Sequence, residues 1–520
     1  MSIALVPPHI HCNNFFLAMN RKSYVPVPPL SGLCYDYEKQ KCVGGIARIA
    51  KIVHRLKEIR SNAVFLNSGD YFQGTLYYDL FRGNITAHFM NKLPHDAMTI
   101  GNHDFDDGIS GLAAFLKGLK AKVVVSNINT DEEPSLQGLY SGSTIIHRGG
   151  RDIGVIGAIF NETNKISSTT EKVKFLDEVK SINLEAEKLK AKGVEIIIVL
   201  SHCGIEHDKI IASECPHVDV VVGGHSHILM YNGLPPSGEI AYSEYPLVVT
   251  QKKFPRKVLV VHAGAFTKYM GDIRIIFNEK SEVDYWKGNP IYLDSSIEED
   301  PAISKDLQPW TTEMMKVGGV KVGEAAIFLN GSCSSGECNL ANFVTDAMVD
   351  YYKKNSSIAL TSAINVQNSI PIGPITFQDI YMTLPYNNTW DLIDLKGRDL
   401  IQVLEDNVSK NLRQGLFVNN FLLHWSGLKV VYNLSNTRSK LVQVQIRCHE
   451  CPDGRYQDVD ENKIYRIVVQ SYLVGGKFKI IFEKFRNWVK GDTYDVENLV
   501  KYVQKVGTVN VTTESRMVFV

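Results

Sequence analysis

The alternation of apolar and polar positions divides the first half of the chain into helices and short buried strands. From about Gly44 to Ile276, helix-period segments alternate with β-branched apolar runs, which is typical of layered α/β architectures. Residues 47–60 carry apolar side chains at helical spacing and predict an amphipathic helix. Buried strands are predicted at the apolar runs 63–67, 96–100, 194–200 and 218–223.

The second half repeats this alternation after a charged connection. Residues 296–317 predict a connecting helix that is interrupted or opened by its prolines. Residues 337–354 predict an amphipathic helix with an apolar side formed by Leu340, Phe343, Val344, Ala347 and Met348. A chain of 520 residues is too long for one core. We therefore expect a first domain at 34–295, a connecting helix at 296–317 and a second domain at 318–520.

Polar residues follow each of the four predicted strands of the first domain. The segments read NSGDYFQG, GNHDFDDG, SHCGIEHD and GGHSH, and they contain Asp70, Asn102, His202, His225 and His227. Ligands gather beyond the carboxyl ends of strands in open α/β sheets, so these side chains are expected to lie close together. Carboxylate, amide and imidazole donors suit Zn, Mn, Fe or Co better than an all-oxygen calcium site.

Each of these residues also has an ordinary structural interpretation. Asp70 follows a glycine and is a candidate helix N-cap, and a single histidine such as His202 is more often a hydrogen-bonded core residue. His225 and His227 are separated by one residue, so in an extended segment they face the same side. Four such motifs at consecutive strand ends favour the metal site, because the structural interpretation needs four coincidences.

Charge and length exclude several classes of function. Lys+Arg and Asp+Glu both number 56, so no net positive field favours nucleic acid or an anionic membrane. No apolar run is long enough to cross a bilayer, and the final TESRMVFV is not a hydrophobic tail for a lipid anchor. We expect neither a nucleic-acid partner nor a membrane span.

Cysteine spacing and glycosylation sequons indicate the compartment. Six of the nine cysteines form the close pairs Cys34/Cys42, Cys333/Cys338 and Cys448/Cys451. Such pairs serve as zinc ligands or small-loop disulfides, and no second CxxC lies near the last pair. Cys203 and Cys215 either pair or stay buried, and Cys12 is left over. Eight Asn-x-Ser/Thr sequons favour the secretory route, at Asn84, Asn161, Asn330, Asn355, Asn387, Asn407, Asn433 and Asn510. We interpret the chain as a secreted glycoprotein with disulfides.

The first residues are a poor secretion signal. MSIALVPPHIHCNNFFLAMNRK is broken by two prolines, two histidines and the adjacent asparagines Asn13 and Asn14, whereas a signal needs an unbroken apolar core. We expect the segment 1–33 to be atypical, with an incomplete or wrongly assembled start.

The motifs GDYFQG, GNHDFD, SHCG and GGHSH, in this order, resemble the metallophosphoesterase motifs of the 5′-nucleotidase and apyrase family. The resemblance runs from about Cys34 to the end, and the three cysteine pairs have counterparts in the animal ecto-enzymes. It implies a four-layer α/β/β/α metallophosphoesterase domain, a connecting helix and a second α/β domain that binds substrate.

The resemblance also implies roles for the strand-end residues. Asp70 bridges two divalent metal ions, His227 belongs to one of them, and the other is completed by Asn102, His202 and His225. In the same family, the counterparts of His103 and Asp106 form a catalytic pair whose imidazolium stabilises charge on the transferring phosphoryl group.

The family's first motif, Asp-x-His, is not recognisable in this chain. Residues 16–24 stand where it belongs, with Ala18 and Asn20 in the ligand places, and His9 and His11 lie further upstream. Only one of the two metal sites is therefore complete in the sequence.

The second domain also departs from the family. Gln367 stands where the family has an arginine, and a neutral amide cannot make the bidentate contact of a guanidinium with phosphate. Lys477 stands near a lost aspartate. Phe421 and Tyr472 match the aromatic pair that sandwiches the base.

The function that the resemblance implies is a secreted, metal-dependent hydrolase that releases phosphate from extracellular ATP, ADP or AMP. The alternative is a catalytically impaired relative that binds nucleotides or another protein without turnover. The missing Asp-x-His and the replaced arginine are the features that keep this alternative open.

Overall fold

The computed structural model describes residues 42–520, except for 73, 168, 170, 252–254, 410–421, 437–438, 452 and 476–483. The described chain divides into two compact units, and the division falls between Thr312 and Glu313. Each unit is a mixture of helices and strands, as the α/β pattern predicts.

The first unit begins with an amphipathic helix, as predicted. The helices are α1 (Ile46–Ile59), α2 (Leu76–Met90), α3 (Gly108–Gly118), α4 (Glu178–Ala191), α5 (Ile205–Glu214) and the start of α6 (Pro301–Gly318), with short 3-10 turns at Asn102–Phe105, Pro134–Leu136 and Thr163–Lys165. The strands are β1 (Leu66–Asn67), β2 (Ala97–Met98), β3 (Ile128–Asn129), β4 (Ser143–Arg148), β5 (Arg151–Ile159), β6 (Lys174–Phe175), β7 (Ile196–His202), β8 (Val220–Gly223), β9 (Leu247–Thr250), β10 (Lys257–Val261), β11 (Tyr269–Met270), β12 (Ile273–Phe277), β13 (Val283–Gly288) and β14 (Ile291–Tyr292).

A six-stranded sheet organises this unit, in the order β4-β5-β7-β8-β10-β9. Its four central strands are parallel, and the edge strands β4 and β9 run antiparallel to their neighbours. A separate parallel pair, β1 with β2, is extended by a parallel bridge between Met98 and Val123. Parallel strands end at the same edge of a sheet, so the polar segments after β7 and β8 are neighbours.

Burial explains why these segments form strands. All seven residues of β7 and all four of β8 are buried, which is the expected pattern for central parallel strands covered on both faces. β1 is only two residues long, although Ala63 to Leu66 are all buried, so the predicted strand at 63–67 is shorter than its apolar run. The apolar run therefore overestimates the length of β1, because a residue can be buried without hydrogen-bonding to a neighbouring strand.

The described residues of the second unit form three sheets. Its strands are β15 (Lys321–Ala325), β16 (Ala359–Ser362), β17 (Gly373–Thr376), β18 (Trp390–Lys396), β19 (Leu423–Ser426), β20 (Leu428–Tyr432), β21 (Leu441–Arg447), β22 (Tyr456–Asp458), β23 (Ile464–Gln470), β24 (Arg486–Val489), β25 (Thr508–Val509) and β26 (Met517–Phe519). Its helices are α7 (Asn339–Tyr351), α8 (Phe377–Thr383), α9 (Gly397–Ser409), α10 (Ser471–Gly475) and α11 (Asp495–Val506), with a 3-10 turn at Ala363–Asn365. The sheet orders are β19-β16-β23-β18-β24, β22-β21-β20-β26 and β17-β15-β25.

The helices of the connection and of the second unit follow the predicted patterns. The five apolar residues predicted on one side of α7 are all buried, between 0% and 1% exposed. The sequence left open whether the prolines interrupt the connecting helix or stand at its start. In the structure a proline stands at the start, and the helix is not interrupted. α6 begins at Pro301, where a missing N–H costs nothing, and it continues through Pro309 to Gly318.

The cysteine pairs are disulfides wherever both partners are described. Cys333–Cys338 and Cys448–Cys451 are bonded, and Cys42 is bonded as well, whereas Cys34 and Cys12 lie outside the described residues. Cys203 and Cys215 are free, buried thiols, which decides between the two predicted outcomes for them. Within the described ranges, no helix is both long and apolar enough to cross a bilayer.

His424 gives the second unit a predictable pH dependence. Its buried ring donates from Nε2 to the carbonyl oxygen of Cys333 at 2.8 Å, and burial lowers its pKa from 6.5 to about 4. Between these values the unfolded chain binds a proton that the folded chain does not, so stability falls as the pH falls from 6.5 to 4. We expect this loss to be about 3 kcal/mol, and His424→Gln should remove it.

Urea unfolding at several pH values between 4 and 7 measures this effect. The control is His147→Gln, because His147 is an exposed histidine whose ring contacts Asp152. Equal pH slopes for the native chain and His424→Gln would contradict the prediction.

Candidate metal centre and active site

The loop after β1 turns sharply to place Asp70 inside the first unit. Asp70 is fully buried and has a φ of 62°, a left-handed conformation that is unusual for a residue other than glycine. Gly69 before it has a φ of 94°, and a Cβ there would lie 2.6 Å from the carbonyl carbon of Ile100. The two loops that follow β1 and β2 are therefore in direct backbone contact, which explains the small residue before Asp70.

Asp104 holds this turn in place, although the sequence motifs did not single it out as a site residue. Its two carboxylate oxygens accept backbone N–H groups from Asp70, Tyr71, Phe72 and Gly101, at 2.5 to 3.2 Å. Burial and the charge of Asp70 raise the pKa of Asp104, while these N–H groups act in the opposite direction. Asp104 is thus the residue that compensates the strained backbone of Asp70. The sequence signal that could have identified Asp104 is its position two residues after Asn102, within the motif GNHDFD.

Asp70 and His202 make a contact that requires a positive charge. His202 ends β7, and its Nδ1 donates to the carbonyl oxygen of Ser68 at 2.6 Å, so Nε2 is the ring atom with a lone pair. This Nε2 lies 3.0 Å from Oδ2 of Asp70, and both side chains are fully buried. Neither atom has a hydrogen-bond partner among the residues that the structure describes.

Two lone pairs at this distance repel unless a proton or a metal ion lies between them. Burial by itself would raise the pKa of Asp70, but His202, His103 and His225 lower it to about 2, so the carboxylate is ionised. Burial by itself would lower the pKa of His202, and Asp70 raises it. A carboxylate oxygen and an imidazole nitrogen facing each other in a dry pocket fit a divalent cation of intermediate softness.

Asn102 and His225 join this pair from the loops after β2 and β8. Nδ1 of His225 lies 2.8 Å from Oδ1 of Asn102, and the rings of His225 and His202 have centroids 5.3 Å apart. The backbone N–H of His103 donates to Oδ1 of Asp70 at 2.9 Å, which ties the loop of Asn102 to the Asp70 carboxylate. The four residues predicted at separate strand ends are therefore brought together at one place.

The segment that carries His225 and His227 is not extended, contrary to the expectation from their spacing. Both residues are left-handed, with φ values of 71° and 56°, so alternation along a strand does not set their directions. A tight turn after Gly223 and Gly224 replaces the extended strand. His227 packs edge-on against Phe266, with ring centroids 5.8 Å apart, and His225 stacks on Phe160 at 5.4 Å.

His103 and Asp106 form a hydrogen-bonded pair, as the sequence comparison with the family predicts. Nδ1 of His103 lies 2.6 Å from Oδ2 of Asp106, and the side chains are 20% and 12% exposed. The 3-10 turn Asn102–Phe105 sets this geometry, because three residues make one turn of such a helix. The pair therefore follows Asn102 directly in the chain, and both side chains remain partly accessible to solvent.

A buried pair behind the site, Asp208 with His262, was not predicted from the motifs. Oδ2 of Asp208 lies 2.6 Å from Nε2 of His262, and its Oδ1 accepts from Ser201 Oγ at 2.5 Å, with all three residues fully buried. Ser201 lies in β7 and His262 follows β10, so Asp208 of α5 links the strands on either side of β8. A Cβ at Gly223 would collide with both Asp208 and His262, which explains this glycine.

We expect His262 to matter for metal binding through this link, although it is not a ligand. His262→Leu should lower metal affinity ~10-fold and destabilise the fold by ~1–3 kcal/mol, because Asp208 loses a buried partner. His262→Gln keeps an N–H for Asp208 and is the matched control, expected to stay near the native values. Calorimetric titration with Mn²⁺ alone measures the affinity; native affinity in His262→Leu would contradict this role.

The residues that the family resemblance predicts to contact substrate are described only in part. Phe421 and Lys477 lie outside the described residues, as does the segment 16–24 where Asp-x-His was expected. The side-chain amide of Gln367 donates to the carbonyl oxygen of Ile364 in its own loop. Tyr472 is half-buried, and its backbone N–H donates to Asn388 Oδ1 at 3.1 Å. The loop that carries Gln367 is thus held by its own amide.

Comparison with known proteins identifies both halves of the chain. Residues 10–229 match the family described as calcineurin-like phosphoesterase, and residues 316–485 match 5′-nucleotidase, C-terminal domain. The chain is 36% identical to an apyrase of Tabanus yao over 524 residues, which cover 98% of this chain and 92% of that protein. It is 34% identical to a 5′-nucleotidase of Rattus norvegicus over 498 residues, 92% of this chain and 85% of that one.

A solved structure gives the same result for the fold. The 5′-nucleotidase precursor from Thermus thermophilus superposes with a TM-score of 0.84 and 32% identity, over 98% of this chain and 99% of that one. The motifs at the strand ends, the two matched domains and identity over almost the whole length agree. The chain belongs to the 5′-nucleotidase and apyrase family of metal-dependent nucleotide phosphohydrolases.

Proposed function

We propose that this protein is a secreted, divalent-metal-dependent enzyme that releases phosphate from extracellular nucleotides such as ATP, ADP or AMP. The observation that carries the proposal is the contact between Asp70 and His202, two buried lone-pair atoms 3.0 Å apart. The similarity to an apyrase and to 5′-nucleotidases supports the nucleotide as substrate. The disulfides Cys333–Cys338 and Cys448–Cys451 support the oxidising route of secretion.

The residues that would hold the metal follow from their donor atoms. Asp70, Asn102, His202 and His225 would offer a carboxylate, an amide oxygen and two imidazoles to one divalent ion, and His227 would help to hold a second. A bound divalent ion lowers the pKa of water and polarises phosphoryl oxygens, as in other metal-dependent phosphatases. Ser68 supports the ligand set, because its carbonyl accepts from His202 and directs Nε2 towards Asp70.

His103 is the residue that we assign to the transferring phosphoryl group. It follows Asn102 directly, and its backbone is held by Asp70, so its ring stays next to the metal ligands. Asp106 accepts from Nδ1 and thereby orients the ring, and Nε2 would donate to a phosphoryl oxygen. A positive charge placed in this way stabilises the negative charge of the transition state.

On the substrate side, Tyr472 and Phe421 are proposed to hold the base between their rings. Gln367 is the residue that favours the alternative, a binding protein without turnover. Its amide is engaged with Ile364 and cannot give a phosphate the bidentate, charged contact of an arginine. An impaired protein of this kind would bind AMP without hydrolysing it.

An assay of phosphate release distinguishes the hydrolase from the binding protein without turnover. The purified full chain is stripped of metal with a chelator, supplied with Mn²⁺ or Zn²⁺, and incubated separately with ATP, ADP and AMP. We expect metal-dependent release of phosphate from at least one of them, and none in the chelated control. Absence of release from all three by folded protein, together with calorimetric binding of AMP, would establish the binding protein instead.

A further inference from the structure

The eight glycosylation sequons differ sharply in their surroundings in the folded chain. Four of their asparagines are exposed, three are half-buried, and one is buried. The exposed ones are Asn84, Asn330, Asn355 and Asn510. The half-buried ones are Asn161, Asn387 and Asn433. The buried one is Asn407, with 2% exposure.

We propose that Asn84, Asn330, Asn355 and Asn510 carry N-linked glycans in the folded protein and that Asn407 does not. The proposal rests on passage through the secretory route, which is part of the proposed function. In the reaction, the side-chain nitrogen of asparagine displaces a lipid-linked pyrophosphate from the first sugar of an oligosaccharide. A C–N bond forms, the pyrophosphate leaves with the bonding electrons, and the amide loses one proton.

Local structure at the exposed sites leaves room for a bulky, hydrophilic group. Asn330 uses its side-chain oxygen to accept the N–H of Ser332 at 2.9 Å, so the nitrogen that takes the sugar is left on the exposed side chain. Asn355 lies in the turn that follows α7, and Asn510 follows β25. A glycan at these positions extends into solvent and disturbs no packed element.

Asn84 differs because it lies within a helix, α2. Asn84 is on the exposed side of this helix, whereas Ile85 and Thr86 are fully buried. Helical geometry therefore separates the sequon into a buried threonine and an exposed asparagine. A glycan on Asn84 is compatible with the fold because the modification needs only the asparagine to remain at the surface.

Asn407 lies near the end of α9, and its buried side chain contacts the first residue of β19. Its side-chain oxygen accepts the backbone N–H of Leu423 at 3.2 Å, and Leu404 and Val408 beside it on α9 are fully buried. A sugar on its nitrogen would push α9 off the sheet and expose this apolar face. Glycans are added before folding is complete, so chains modified at Asn407 would fail to fold and would be absent from the secreted product.

Site-resolved mass spectrometry tests the assignment without altering the protein. The full chain is secreted from insect cells behind a cleavable signal, and its peptides are deglycosylated enzymatically in heavy-oxygen water, which labels each formerly glycosylated asparagine. We expect the label at the four exposed sites and none at Asn407. Label at Asn407 in folded, secreted protein, or no label at any of the four exposed sites, would overturn the proposal.

Variants separate this proposal from the proposed activity. Asn84→Gln, Asn330→Gln, Asn355→Gln and Asn510→Gln should each remove one glycan from the electrophoretic mass, and Asn407→Gln should remove none. Phosphate release is measured on the same preparations. Correct glycan positions without phosphate release would leave the glycan assignment standing and refute the activity; phosphate release with Asn407 glycosylated would do the reverse.

Discussion

Replacing His103 with alanine is expected to lower kcat for nucleotide hydrolysis by ~100- to 1000-fold, the usual cost of removing one preorganised donor to a transition state. The fold should be preserved, because the ring is 20% exposed and Asp106 remains partly accessible to water. KM should change little, since the group acts on charge that develops during phosphoryl transfer. Initial rates with the preferred nucleotide, at saturating metal, measure the effect.

The chain offers a matched control for this variant. His147 forms a comparable pair with Asp152 in the same unit, at 2.9 Å, at exposed positions of β4 and β5. His147→Ala removes the same ring from a His–Asp pair and should leave kcat unchanged. If His103→Ala retains native turnover, or if both variants lose activity equally, His103 has no role in the reaction.

The second large effect is expected from Asp70→Asn, which should abolish metal binding without weakening the metal-free fold. Changing a residue that only supports a metal ligand costs 10- to 100-fold in affinity, so loss of the proposed bridging carboxylate should cost at least ~100-fold. In the metal-free protein, the new amide can donate to Nε2 of His202, which now faces a carboxylate oxygen at 3.0 Å. The variant therefore exchanges a contact that needs a proton or a metal ion for a neutral hydrogen bond.

Thermal unfolding with and without metal tests both parts of this prediction. Ligand that binds only the folded state raises its stability, so the native chain should melt at a higher temperature in Mn²⁺ or Zn²⁺. Asp70→Asn should melt at or above the native value in chelator and should show no increase with metal. A metal-dependent increase of native size in Asp70→Asn would remove Asp70 from the ligand set.

Local periodicity predicted most of the secondary structure near the site. The buried strands β7 and β8 and the helices α1 and α7 lie where their apolar patterns place them, because burial on one face or both leaves a periodic trace. The predicted strands at 63–67 and 96–100 were too long, since only two residues of each form a ladder. Their other apolar residues are buried by side-chain packing, which the pattern cannot distinguish from strand pairing.

The sequence predicted which side chains offer donor atoms at the site, but it did not predict the residues that hold those side chains in place. Residue types and their positions after strands indicated five candidate metal ligands, namely Asp70, Asn102, His202, His225 and His227, and the first four lie close together in the structure. Asp104 was missed because its role is to accept backbone N–H groups of a loop more than 30 residues away. The spacing of His225 and His227 gave a wrong conformation, because two glycines before them permit a turn that local alternation does not reveal.

By itself, the sequence determined the layered α/β class, the order of the four motifs, the three cysteine pairs and the kinds of donor atoms available for a metal. These follow from periodicity, spacing and chemistry that are local to the chain. Only the tertiary structure decided that Asn102 and His225, 123 residues apart, meet at 2.8 Å, and that His262 lies behind them. It also decided which sequons are exposed. The physical reason is that burial, hydrogen-bond partners and backbone strain depend on distant segments that packing brings together.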